Sequence, residues 1–151
     1  MPKISPFLWF DNNAEEAVEF YLSVFKDSDR LKVRRSGGPG GKVMVIAFEL
    51  DGQEFVALNG GPMFKFTEAV SFVVYCKDQG EIDQYWDGLI AGGGAPSQCG
   101  WLKDKFGLSW QIVPENISEI ASSPAAMQAL MGMIKLDIAT LEAARLAQPN
   151  P

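Results

Sequence analysis

Few side chains in this sequence combine the residue types and the spacing that catalysis requires. The 151 residues contain no histidine, which removes the commonest general base and the commonest ligand of zinc, iron and nickel. The thiols of Cys76 and Cys99 match no metal-binding spacing and are too few for a disulfide framework. Cys99 is a weak catalytic candidate, because no evident basic neighbour activates it, and a passive strand cysteine is the alternative.

The carboxylates and the net charge give no strong indication of a catalytic site or of a charged partner either. The acidic residues fall at helix caps, turns and helix exteriors, where solvated surface is the simplest interpretation. With 13 basic and 19 acidic residues the net charge is -6, which argues against nucleic acid or an anionic membrane as a partner. The local exception is a basic run whose alternation predicts a solvated edge strand, with an anion site as the alternative; it comprises Arg30, Lys32, Arg34 and Arg35.

Length and hydropathy predict a single compact domain that lies in the cytoplasm. The chain is 47% hydrophobic over 151 residues, which supplies enough apolar material for one core. No apolar run approaches the roughly 20 residues of a membrane span, and no secretory signal pattern begins the sequence. We therefore expect a cytoplasmic protein with reduced thiols.

The first sixty residues predict the order strand, helix and three strands. Ile4 to Phe10 is an apolar run, and Asn13 with Glu16 has the spacing of a capping box that starts a helix. The helix carries apolar residues at spacings of three and four, which gives one buried stripe. The three strands that follow are Leu31 to Ser36, Lys42 to Leu50 and Glu54 to Asn59, joined by the hairpin loop Gly37 to Gly41 and by Asp51-Gly52.

The same order then begins again, which indicates an internal duplication. An offset of 65 residues places Phe7 against Phe72 and Trp9 against Val74 without a gap, and it aligns the two helix-starting residues Asn13 and Asp78. The closing hairpins also correspond, since Gly52 aligns with Gly107 at an offset of 55. The sequence thus predicts an α+β fold of two pseudo-symmetric βαβββ units, about residues 4–60 and 69–114.

A helical tail is predicted for about residues 116–147. Ser123 is expected to cap a helix whose first residue is Pro124, and Asp137 to start a last segment that runs to about Leu146. Residues 149–151 are expected to fray. Three apolar residues of the tail are expected to pack on the body or on a partner, namely Leu130, Met131 and Ile134.

The repeated unit resembles the vicinal oxygen chelate superfamily, which includes glyoxalase I, the bleomycin resistance proteins and extradiol dioxygenases. Three segments resemble its PhnB-like branch, often labelled demethylubiquinone methyltransferase: Pro6 to Asp11, Phe55 to Pro62 and Gln98 to Pro114. The resemblance covers about residues 4–145. It implies that the curved mixed sheets of the two units form a cup and that the protein is a homodimer.

In that superfamily the cup holds a divalent metal on side chains of the first and last strand of each unit. The resemblance and the repeat together place those positions at Ile4, Val56, Ala69 and Gln111. Three of these side chains have no donor atom, and Gln111 offers one weak neutral oxygen. We therefore expect no metal at the usual position, and the metal-dependent activities of the superfamily do not carry over.

The methyltransferase label implies S-adenosylmethionine, but we expect no cofactor. A Gly-rich turn between a strand and a helix usually accompanies that cofactor. Gly37 to Gly41 instead joins two strands, and Gly60-Gly61-Pro62 is predicted to be a linker between the units.

A metal-free cup with aromatic walls suits a small aromatic or hydrophobic ligand. Plain core packing is the alternative for each tryptophan. The candidate ligand-binding residues are Trp9, Asn59, Ser71, Cys99, Trp101, Trp110 and Gln111. Two further functions stay open: an enzyme, either the labelled methyltransferase or a metal-independent isomerase or lyase, and a protein-interaction module that uses the C-terminal helices.

Overall fold

The computed structural model describes residues 3–147, so the prediction for residues 149–151 lies outside the described range. Within it the chain divides into two compact units, one that ends at Phe66 and one that begins at Thr67. Unit one contains β1 (Phe7–Phe10), α1 (Ala14–Val24), β2 (Ser28–Arg35), β3 (Val43–Leu50) and β4 (Gln53–Asn59). Its strands are ordered β1-β4-β3-β2, with β1 parallel to β4 and the other pairs antiparallel.

Unit two repeats this topology. Its elements are β5 (Ser71–Cys76), α2 (Gln79–Ile90), β6 (Ala95–Pro96), β7 (Trp101–Lys103) and β8 (Ser109–Pro114). The strand order β5-β8-β7-β6 has one parallel pair, β5 with β8, in the place of β1 with β4. The α+β class and the repeated βαβββ unit are therefore confirmed.

In each unit a helix covers one side of the sheet and leaves the other side partly exposed. In unit one the buried alternate residues of the strands pack against α1; Tyr21 stacks on Phe48, with ring centroids 6.2 Å apart. In unit two, Trp86 and Leu89 of α2 are buried in the same way. We call the side opposite each helix the open face. In unit one it carries Phe7, Trp9, Val45, Val56 and Leu58, and in unit two Ser71, Val73, Tyr75, Trp101 and Gln111.

The first strand of unit two is shifted by one residue relative to the predicted repeat. The offset of 65 pairs Phe72 with Gln111, but in the structure Val73 pairs with Gln111. The connection from strand to helix has three residues in unit one (11–13) and two in unit two (77–78). Because successive residues of a strand face opposite sides, Phe7 lies on an open face and Phe72 lies on the helix side. The ungapped alignment of the first strands is therefore wrong by one residue.

The N-terminus of α1 is capped from a distant strand. The predicted capping residue, Asn13, makes no side-chain capping hydrogen bond within the described chain. Asn59 Oδ1 at the end of β4 accepts from the backbone N–H of Ala14 at 2.8 Å, and Asn59 Nδ2 donates to the carbonyl of Val43. In unit two the predicted cap is confirmed, since Asp78 Oδ1 accepts from the N–H of Glu81 at 2.9 Å.

Three helices follow β8 within unit two and share a core with its sheet. They are α3 (Ile117–Ala121), α4 (Pro124–Met131) and α5 (Ile138–Leu146), and the predicted caps Ser123 and Asp137 are confirmed. Val113 of β8 is buried in one cluster with Ile120, Ala126, Leu130, Leu136 and Leu141. Of the apolar tail residues, Leu130 packs on the body as predicted, whereas Met131 and Ile134 are exposed.

One glutamine ties these helices to α2. Gln79 Nε2 donates to the carbonyl of Leu136 at 3.0 Å, and Gln79 Oε1 accepts from the N–H of Ile138 at 2.8 Å. The backbone N–H groups of Cys99 and Gly100 also donate to the carbonyls of Met133 and Ile134. The tail is thus fixed to the sheet of unit two by backbone as well as by apolar contacts. None of the helices in residues 3–147 has the length and apolarity to span a membrane.

Candidate functional site

Three of the predicted ligand-binding residues lie together on the open face of unit two. Trp101 on β7 pairs with Gln111 on β8, and Gln111 Nε2 donates to Ser71 Oγ on β5 at 2.9 Å. Val73 and Tyr75 extend the same face along β5. One surface is therefore lined by the indole of Trp101, by Val73 and Tyr75, and by the hydrogen-bonded side chains of Gln111 and Ser71.

The sequence prediction did not include Val73 and Tyr75, although it included Ser71 of the same strand. Strand alternation is the signal that identifies them, because Val73 and Tyr75 lie two and four residues after Ser71 and therefore on its face.

Trp9 lies on the open face of unit one and is fixed by the segment that follows β4. Its indole Nε1 donates to the carbonyl of Gly61 at 2.9 Å, and its ring lies edge-on to Phe64 with centroids 4.9 Å apart. A Cβ at Gly60 would lie 2.5 Å from the indole ring, so only glycine fits there without displacing Trp9.

Two of the predicted lining residues lie on the helix side instead. Asn59 caps α1, and Trp110 is buried with its Nε1 donating to Asp104 Oδ2 at 2.9 Å. Their expected place on the open face is therefore wrong. The physical reason is strand alternation: Trp110 precedes Gln111 and must face the other way, and Asn59 pairs with the buried Phe10.

Asp104 is a structural carboxylate whose side chain accepts hydrogen bonds within the turn between β7 and β8. It is 3% exposed, and Oδ1 accepts from the backbone N–H groups of Phe106 and Leu108 at 2.9 and 3.1 Å. Together with the bond from Trp110 these contacts hold the β7–β8 turn, in which Gly107 has a positive φ of 89°. Asp104 therefore stabilises the end of the open face without lying on it.

The two thiols have different environments. Cys99 lies before β7 at a positive φ of 60°, is half-buried, and its Sγ is 3.8 Å from the carbonyl oxygen of Met131. Cys76 is buried at the end of β5, and this burial raises the pKa of its thiol to about 12, with the charges of Glu81 and Asp78 adding to the effect. Cys99 has no basic side chain among its hydrogen-bond partners in residues 3–147, so its catalytic role stays a weak prediction.

Thiol titration is expected to separate these two cysteines. With an aromatic disulfide reagent at about pH 8, Cys99 should react in the native protein, and Cys76 should react at least about tenfold more slowly because it is buried and protonated. Two thiols should react after denaturation. Cys99→Ser is the control and should abolish the fast native reaction. Equal native rates for both thiols would contradict the assigned burial of Cys76.

The four positions assigned to metal ligands do not form a donor set. Val56 and Gln111 lie on strands and face the open sides, whereas Ile4 and Ala69 precede β1 and β5. Three of the side chains are hydrocarbon, and a divalent ion needs several oxygen, nitrogen or sulfur ligands. Among residues 3–147, no group of three or more His, Cys, Asp or Glu side chains is arranged to hold a metal ion. These residues therefore do not fit the metal that the superfamily implies.

Unit one contains a cavity of about 560 Å³ at the ends of β1 and β4, lined by charges of both signs. The acidic lining residues are Asp11 and Glu15, and the basic ones are Arg35 and Lys42, which flank the glycine loop 37–41 in the chain. Arg35 Nη1 donates to the carbonyl of Gly41 at 3.0 Å. The basic run belongs to β2, an exposed strand at the edge of its sheet, which confirms the predicted edge strand.

Comparison with known proteins decides the family. Residues 2–113 match the family model described as 3-demethylubiquinone-9 3-methyltransferase. The chain belongs to this family. The helices α3–α5 lie outside the matched residues. No protein with a curated description matches the chain.

One solved structure supports the family, and others share the fold. A PhnB protein from Bacillus cereus, provisionally described as the same methyltransferase, is 36% identical, with a TM-score of 0.66 over 74% of this chain and 99% of that chain. The protein PA1353 from Pseudomonas aeruginosa is 18% identical, with a TM-score of 0.63 over 76% and 98% of the two chains.

The fosfomycin resistance protein FosX from Listeria monocytogenes, solved with Mn(II) and sulfate, is 12% identical, with a TM-score of 0.55 over 76% of this chain and 91% of that chain. PA1353 and FosX share the fold alone. The resemblance to the PhnB-like branch is confirmed.

Proposed function

We propose that this member of the family binds a small aromatic or hydrophobic molecule on the open face of unit two, without a metal ion, and that it is a cytoplasmic homodimer. The observation that carries the proposal is the group of exposed apolar and aromatic side chains on that face. Tyr75 is 61% exposed, Val73 is exposed two residues before it, and Trp101 is partly exposed on β7 of the same face. Exposed apolar clusters of this kind usually mark a binding surface.

The polar groups of the same face suit recognition of a small molecule. Ser71 and Gln111 form a hydrogen-bonded pair next to Trp101, and both side chains are only partly buried. Small-molecule sites combine apolar walls with a few polar groups that fix the orientation of the ligand. The aromatic ring supplies contact area, and the amide–hydroxyl pair supplies a donor and an acceptor.

Methyl transfer is the alternative that the family's description favours. The residues of this chain support it less, because neither strand-to-helix connection, 11–13 or 77–78, contains a glycine. The loop Gly37 to Gly41 joins β2 and β3, as predicted. A Gly-rich turn that opens a helix is the usual cradle for nucleotide-like cofactors. We therefore favour binding over methyl transfer.

Trp101→Ala is expected to weaken the binding of 1,4-naphthoquinone, a planar probe, by about tenfold in calorimetric titration, because the indole supplies the aromatic wall. Phe64→Ala removes an exposed aromatic of unit one and should leave the affinity within about twofold. S-adenosylmethionine should give no saturable heat.

Unchanged affinity in Trp101→Ala would move the site away from unit two. Saturable binding of S-adenosylmethionine would instead favour the methyltransferase. A monomer in light scattering at micromolar concentration would contradict the homodimer.

A further inference from the structure

Unit two contains a cavity of about 260 Å³ beside the proposed binding face. We call it the β6–β7 pocket. Its lining includes Glu68, Pro96, Trp101, Lys103 and Ser109. Trp101, Lys103 and Ser109 share the open face, because Lys103 pairs with Ser109 across β7 and β8 and lies two residues after Trp101. The pocket therefore extends that face.

The hydroxyl of Ser109 is buried without a partner. Ser109 is 1% exposed, and its Oγ has no hydrogen-bond partner among residues 3–147. Buried hydroxyl groups are normally satisfied, so an unpaired one on the wall of a cavity needs an explanation. A ligand atom that accepts its proton would satisfy it.

Lys103, a cationic side chain of the pocket, forms an ion pair whose anionic partner can be replaced. Lys103 Nζ lies 2.7 Å from Glu68 Oε1, and the side chains of Lys103 and Glu68 are 44% and 64% exposed. An exposed ion pair of this kind contributes little to stability, so another anion can take the place of Glu68. Lys103 is fixed on a strand, whereas Glu68 lies in the segment before β5. Lys103 is therefore the member of the ion pair whose backbone position is fixed by the sheet.

We propose that the β6–β7 pocket binds the carboxylate of a small aromatic acid. Lys103 pairs with the carboxylate in place of Glu68, Ser109 Oγ donates a hydrogen bond to it, and Trp101 contacts the ring. This assignment rests on the proposed function and specifies the chemical class of its ligand. Ser109 and Lys103 are then specificity-determining residues, and Glu68 competes with the ligand for Lys103.

Benzoate is the probe, and benzamide and benzylamine are its neutral and cationic counterparts. Titrated by calorimetry into the full-length protein, benzoate should bind at least about tenfold more tightly than either counterpart. Ser109→Ala and Lys103→Gln should each weaken benzoate by about tenfold, and Glu68→Gln should strengthen it about threefold. Ser118→Ala, an exposed serine of α3, should change nothing.

Thermal unfolding separates a ligand contact from a structural role. Ser109→Ala removes an unpaired buried oxygen, so its melting temperature should equal or exceed that of the unaltered protein while benzoate affinity falls. A lower melting temperature with unchanged benzoate affinity would overturn the proposal, and so would equal binding of benzoate and benzamide. If naphthoquinone binding depends on Trp101 and benzoate gives no saturable heat, the pocket assignment fails and the proposed function stands. If neither probe binds, both fail.

Discussion

Asp104→Ala is expected to lower the free energy of unfolding by about 3 kcal/mol. The carboxylate is 3% exposed and accepts hydrogen bonds from the N–H groups of Phe106 and Leu108 and from the indole of Trp110. Its removal leaves three donors in a buried turn, and a buried donor without an acceptor costs about 1–3 kcal/mol. Urea denaturation at neutral pH measures the loss, and the m value, which is the dependence of the unfolding free energy on urea concentration, should stay unchanged.

Asp104→Asn distinguishes the hydrogen bonds from the volume of the side chain. Asparagine keeps one oxygen acceptor but places an NH₂ group against a donor, so we expect about half the loss. Asp29→Ala in the exposed strand β2 is the matched control and should change stability by less than about 0.5 kcal/mol. If Asp104→Ala fell within that range, the carboxylate would not hold the turn.

Leu136→Ala is expected to cost about 3 kcal/mol through loss of contacts in the core of the C-terminal helices. Leu136 is fully buried in the cluster with Val113 and Leu141, and its side chain lies against Gly100. Substitution of a buried leucine by alanine removes transfer free energy and leaves a cavity, which together cost about 2–5 kcal/mol. The unfolding midpoint in urea should fall at constant slope.

Leu146→Ala provides the matched control for this substitution. Leu146 is 79% exposed on α5, so the same change should alter stability by less than about 0.5 kcal/mol. A small effect of Leu136→Ala together with a steeper native baseline would show that the tail unfolds before the sheets. Equal effects of the two substitutions would contradict the assigned core.

The architecture could be predicted from the sequence because the repeat preserves both local signals and topology. Each unit has an amphipathic helix between its first strand and its closing hairpin. Such a helix has few ways to bury its apolar stripe, and in both units the stripe packs on the sheet. Local caps were also predictable at Asp78, Ser123 and Asp137, since each bonds an N–H three residues away.

The repeat alone could not predict on which side of the sheet an individual side chain lies. A single residue fewer between β5 and α2 reverses which residues of β5 reach the open face, so Val74, which the repeat sets against Trp9, lies on the helix side. The cap of α1 was missed for a different reason. Asn59 lies 45 residues from Ala14 in the chain, and only the parallel pairing of β1 with β4 brings them together.

The family's methyltransferase description and the residues of this chain point to different chemistry. The donor positions of the superfamily's metal are occupied by hydrocarbon and one amide, and the strand-to-helix connections contain no glycine. The open face of unit two nevertheless keeps an aromatic wall and a polar pair. These features favour recognition of an organic ligand by contact and hydrogen bonding rather than by metal coordination.

The most direct test of this account is calorimetric titration of 1,4-naphthoquinone into the protein after dialysis against EDTA and again after addition of Mn²⁺. The proposed site consists of Trp101, Val73, Tyr75 and the Ser71–Gln111 pair and needs no metal ion, so we expect the same dissociation constant, within about twofold, in both titrations. Binding that disappears with EDTA and returns with Mn²⁺ would contradict the account.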